Sequence, residues 1–170
     1  FSPDTYETRR DRQVINLKRA DGGRGTATIE VMPPVNTQYP PAYRSQGTRT
    51  DDVNGREAYW IDQGPMLAWS WSKDAWATLT WQNVPEPDVK TRMQRVAQSV
   101  TPGQSPVTVP FRISLQDGLA LDSVQVSTSS PVSSVVLSRF NRDGEYQAIT
   151  AGLMPAEPGL KANDQVNGHP

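Results

Sequence analysis

Acid–base or nucleophilic catalysis would have to run through very few side chains of this 170-residue chain. His169 is the only histidine and stands one residue from the end, so a Ser-His-Asp or Cys-His arrangement has little to be built from. With 0 Cys there is no thiol nucleophile, disulfide or Cys-based metal site. The adjacent Asp51 and Asp52 have the chemistry of general acids and bases, but they lie in a polar connection, where a carboxylate is ordinarily just solvated. No pair of histidines and no dense run of aspartates has metal-ligand spacing. The sequence predicts a protein that is not an enzyme and holds no cofactor or metal.

Binding chemistry is concentrated in aromatic residues instead. All 5 tryptophans, Trp60, Trp69, Trp71, Trp76 and Trp81, fall in one short stretch. Strand alternation puts Trp69 and Trp71 on one face with Leu67, and sets Leu79 and Trp81 on the face opposite to Trp76. Two readings are open. The rings fill a core between sheet and helix, or they form an exposed strip that grips a lipid, glycan or protein. A carrier of an apolar ligand would need a cavity of about 300 Å3 or more beside Leu67, Trp69, Trp71, Met93 and Val96. We expect the filled core.

Charge excludes other partners. The net charge of -1 provides no field for nucleic acid or an acidic membrane surface. The local basic cluster Arg9, Arg10, Arg12, Lys18, Arg19 and Arg24 is interleaved with Asp4, Glu7, Asp11 and Asp21, as on a solvated face. The sequence has no run of 18 apolar residues and no signal-peptide pattern, so contact with a membrane is expected only through a segment outside this chain, such as a leader or anchor before Phe1.

The elements that must position these residues follow from periodicity. With 15 Pro and 12 Gly, short strands and turns are favoured over long helices. Residues 13 to 32 predict a hairpin around "ADGGRG", with Ala27, Ile29 and Val31 on one face. Residues 33 to 55 predict an extended connection with at most a short edge strand near "AYRSQGT". Three β-rich runs over 56 to 83 predict a meander, introduced by Asn54-Gly55, whose types suit the positive φ angles of a tight turn. A helix is expected over 88 to 100, because Val89, Met93, Val96 and Val100 fall at helical spacing after Asp88. Strands resume at "FRISL", "LDSVQVSTS", "SVVLSRF" and "YQAITAGL". The fold class expected is α+β: mainly antiparallel sheet with one amphipathic helix packed on a meander, followed by a second, incomplete β module.

The ends of the chain suggest a repeat. "VINLKRADGGRGTATIEVM", a proline-rich connection and "VNGREAYW" parallel "VQVSTSSPVSSVVLSRF", another proline-containing connection and "VNGHP". This order predicts a first module over 1–103 and a second over 104–170, with a meander and helix still to follow Pro170.

Residues Val53, Asn54 and Gly55, then Leu67 and Trp69, then Ala97, Ser99 and Val100 carry a resemblance. In this order, "V-N-G", "L-x-W" and "A-x-S-hydrophobic" resemble the C-terminal half of a domain of bacterial extracytoplasmic proteins, among them sigma-factor regulators and sporulation-related lipoproteins. The chain is similar also to actinobacterial cell-envelope proteins with two such modules. The resemblance implies a curved antiparallel sheet clasping a helix, akin to LolA-type lipoprotein carriers. It further implies an extracytoplasmic location and no catalytic residues, and it transfers no ligand; the partner expected is a protein, or else a lipid, with anchoring through a membrane segment or lipid outside this chain.

Overall fold

Alternating apolar and polar residues become strands over the hairpin, the meander and three of the later runs, and the neighbours those strands choose build a single sheet. The computed structural model describes residues 1–9, 11–23, 25–32, 40–62, 64–73, 75–82, 88–103, 119–128, 132–140 and 145–153. Among these, ten strands and two helices follow in the order β1 (Ser2–Arg9), β2 (Gln13–Lys18), β3 (Thr26–Met32), α1 (Pro40–Gln46), β4 (Thr48–Val53), β5 (Arg56–Ile61), β6 (Met66–Ser72), β7 (Ala75–Gln82), α2 (Val89–Ser99), β8 (Ala120–Ser127), β9 (Ser133–Phe140) and β10 (Tyr146–Leu153). The sheet order is β10-β9-β8-β1-β2-β3-β7-β6-β5-β4, and every pairing is antiparallel.

The expected hairpin is β2–β3, the expected meander is β5–β6–β7, and α2 lies within the expected 88 to 100. Two features depart from the sequence reading. The sequence predicts an extended connection after β3 with at most a short edge strand near "AYRSQGT"; those residues instead form most of α1, and the edge strand is β4, in "TRTDDV". Seven residues are too few for helical periodicity to register in a sequence. The helix ends where Gly47 N donates to Tyr43 O at 3.0 Å. A Cβ at Gly47 would stand 2.7 Å from both that oxygen and Ile61 Cδ1, so the chain can turn into β4 only with glycine. The second departure is β1, which carries no clear alternation and is held by β2 on one side and β8 on the other. The expected strand "FRISL", the proline-containing connection near the end, "VNGHP" and His169 lie outside the described residues.

Register defines two faces. Val126, Tyr6, Ile15, Ile29, Leu79, Leu67 and Trp60 are successive cross-strand partners and lie in one row on the front face. On that face α2 inserts Met93 and Ala97, both fully buried, among Leu17, Ile29, Val53, Leu67, Trp69, Leu79 and Trp81. The back face of the meander is covered by α1, with Tyr43 packed among Met32, Ile61, Ala68 and Trp76. Further along the back face a polar ladder crosses three strands: Asn16 Nδ2 donates to Thr5 Oγ1 at 2.9 Å, and Thr28 Oγ1 donates to Asn16 Oδ1 at 3.0 Å.

Candidate interaction surface

The tryptophans identified in the sequence do not gather at one exposed place. Trp60, Trp69 and Trp81 are buried on the front face, Trp71 packs half-buried against the same cluster, and Trp76 is buried on the back. Trp69, at 1% exposed, is the largest fully buried side chain. Each of the outer rings has a cover. Lys90 Nζ lies 4.9 Å from the Trp60 ring centroid, and Trp60 Nε1 donates to Asp62 Oδ1 at 2.6 Å. Phe1 meets Trp81 edge-on at 4.8 Å, while Tyr43 at 5.5 Å and Arg44 at 5.6 Å lie against Trp76. Leu67, Trp69 and Met93, the side chains that a carrier cavity would separate, belong to one packed cluster.

The "VNG" motif acquires a physical meaning. Val53 is fully buried, Asn54 and Gly55 take φ of 52° and 74°, and Asn54 Nδ2 donates to Val100 O at 3.2 Å just past the end of α2. From the helix side, Gln94 Nε2 reaches Asp51 O at 2.8 Å. Ser99 Oγ donates to Val96 O at 2.7 Å, and Val100 N donates to Ala97 O at 3.1 Å. The two motifs therefore bind one turn to one helix end across 46 residues of sequence.

Charged groups are paired along the surface. Asp51 and Asp52 stand exposed on β4, and Asp52 pairs with Arg49. In the basic cluster Arg9 pairs with Glu7, Arg12 with Asp11 and Glu30, Lys18 with Asp4, and Arg19 with Asp21, as a solvated face requires; Arg10 and Arg24 lie outside the described residues. Arg44 hydrogen-bonds Glu57 and holds its carboxyl below the usual carboxylate range, as Arg12 does for Asp11 and Arg19 for Asp21. An open cleft of about 240 Å3 is lined by Phe1, Arg19, Ala20, Asp21 and Arg92, a polar setting. Among the described residues no group of His, Asp and Glu is placed to hold a metal, and no helix is long and apolar enough to cross a membrane.

Exposed apolar surface lies instead at the far end of the sheet. Among the described residues, Leu121, Tyr146, Ile149 and Leu153 are four of the five large hydrophobic residues that are exposed, and all belong to β8 or β10. Leu121, Leu137 and Ile149 are directly opposed across three strands, as are Val124, Val135 and Ala151 in the next row. Alternation from Val126 puts these rows on the front face, where Val135 and Leu137 of β9 are buried while Leu121 of β8 and Ile149 and Leu153 of β10 stand exposed on either side of them. All eight residues of β10 are exposed. The strand is held by its ladder to β9, by Tyr146 OH donating to Asp122 Oδ2 at 3.2 Å, and by Arg139 Nε donating to Gln147 Oε1 at 2.9 Å. Sequence reading located these strands but not their exposure, because "YQAITAGL" reads like any β-rich run.

Comparison with protein-family models, with curated proteins and with solved structures gives no match for this chain.

Proposed function

We propose that this chain is a non-enzymatic module of a bacterial envelope protein, outside the cytoplasm, and that it binds a protein partner through its β8–β10 side. One observation carries the reading: a strand of eight residues is tied into the sheet with every residue exposed. A strand that buries neither face gains little from packing, and contiguous exposed apolar residues mark interaction sites. The envelope location and anchoring through a preceding segment rest on the "VNG", "L-x-W" and "A-x-S-V" resemblance. The tandem-module reading rests on the parallel between the β2–β3 and β8–β9 hairpins.

The alternative, a LolA-like carrier of a lipid or other apolar ligand, has less support, since Leu67, Trp69 and Met93 pack against one another. A photocrosslinking residue at Ile149, with one at Thr50 on the opposite edge as control, tests the choice in cells that make the protein. We expect a polypeptide adduct from position 149 and none from 50. A lipid adduct at 149, or equal labelling at both positions, overturns the proposal.

A further inference from the structure

We infer that the outer edge of β10 pairs with β10 of a second copy of this chain, antiparallel and centred on Ile149. The inference rests on the reading that the β8–β10 side is a contact surface, and it names the occupant. Alternate residues of an antiparallel strand direct N–H and C=O away from the neighbour they already pair with. Among the described residues nothing pairs with the outer side of β10. Natural edges are blunted by charge, proline or a bulge. "YQAITAGL" has no charged residue and no proline, and its ladder to β9 runs without a register shift.

Charge and register favour a second copy over an unlike strand. Tyr146 to Leu153 carry no charge for a heterologous partner to complement, and the one charge in the paired span, Glu145, falls opposite Leu153 at its two ends, far from its own image. A two-fold axis perpendicular to the sheet keeps each face on its own side, so opposed residues must share a face. Centring on Ile149 satisfies this and uses residues 145 to 153 in full. Ile149 then faces Ile149, Gln147 faces Ala151, Ala148 faces Thr150, and Tyr146 lies over Gly152. The exposed front-face side chains of the two β10 strands become continuous. A single strand edge with its flanking side chains falls near or below the low end, about 1,200 Å2, of specific interfaces, so association at roughly 100 μM is expected rather than a tight dimer.

The chain contains no cysteine, which makes a cross-linking test clean. In the proposed register the two Cα atoms of residue 149 lie about 4.5–5.5 Å apart, within disulfide reach. The Ile149→Cys variant should form a disulfide dimer under mild oxidation. Gln147→Cys alone should not, its two copies being about 14 Å apart, whereas Gln147→Cys with Ala151→Cys should. Sedimentation velocity of the unaltered chain should show dimer growing between about 10 μM and about 1 mM. Ile149→Lys should abolish that dimer and Thr50→Lys should not, with circular dichroism confirming that both fold. A monomer throughout, or equal cross-linking from positions 147 and 149 alone, overturns self-pairing. If the photocrosslinker at 149 then captures a different polypeptide, the contact surface stands without it; if it captures none, both readings fall.

Discussion

The two edges of this sheet pose the same problem, an open row of backbone donors and acceptors, and are treated in opposite ways. At the β4 edge "TRTDDV" is charged and its register to β5 shifts between Thr50 and Val53. Gln94 ties the carbonyls of Asp51 and Asp52 to α2, and Asn54 ties the following turn to Val100. At the β10 edge there is no charge, no bulge against β9 and no helix among the described residues. The meander end is closed by its own chain. The other end buries Val135 and Leu137 but leaves Leu121, Tyr146, Ile149 and Leu153 exposed, and the difference separates what stabilises the fold from what is available for contact.

Stability measurements should break the molecule at the same line. The largest effect is expected from Trp69→Ala, about 3–5 kcal/mol, because a fully buried ring leaves a cavity between α2 and the meander. Ile149→Ala, at 57% exposure, should cost no more than about 0.5 kcal/mol in the monomer. Urea unfolding of both variants checks this, and equal losses would dissolve the distinction. Gly47→Ala is expected next, at about 1–3 kcal/mol, since the added methyl meets a backbone oxygen and Ile61 at 2.7 Å. Thermal unfolding reads it, and an unchanged midpoint would mean that α1 does not seal the back face.

Asn54→Ala should cost about 1–2 kcal/mol, through the lost bond to Val100 and the positive φ that asparagine tolerates better than alanine. Hydrogen exchange would show the loss as faster amides at the end of α2, while the amides that bond β10 to β9 stay as they were. The smallest effect concerns acid. Glu57 has a folded pKa below its unfolded one, chiefly through its hydrogen bond from Arg44, so its stabilisation is complete above the unfolded value near 4.3 and is lost as pH falls through the folded value. Glu57→Gln should therefore lower stability slightly at pH 7 and flatten the stability profile below about pH 4.3. A Glu57 carboxyl that titrates as in the unfolded chain would remove this contribution from the meander end.

The contrast between the edges was half legible. Alternation revealed β2, β3, β5, β6, β7, β8, β9 and β10, and helical spacing revealed α2, because each of these buries at least one stripe against a neighbour or keeps a strong β composition. The turn at Asn54-Gly55 was legible because only a few residue types accept positive φ. Strand β4 was hidden by the charges that protect it as an edge. Strand β1 was hidden because its place between β2 and β8 supplies hydrogen bonds on both sides, and the strand needs no apolar stripe of its own. Helix α1 was hidden by its length.

For the tryptophans, the sequence by itself determined which rings share a face, since successive Cβ atoms of a strand alternate sides whatever surrounds them. It also determined that the chain forms antiparallel strands around an apolar meander. Only the tertiary structure decided that both faces of that meander are covered, by α2 in front and α1 behind, and that β8–β10 extend the same sheet through β1, with Val135 and Leu137 buried and Leu121, Tyr146, Ile149 and Leu153 exposed. Facing is a property of the local backbone, whereas cover is a contact between segments far apart in sequence, such as Tyr43 on Trp76 or Asn54 on Val100, and no local pattern encodes it.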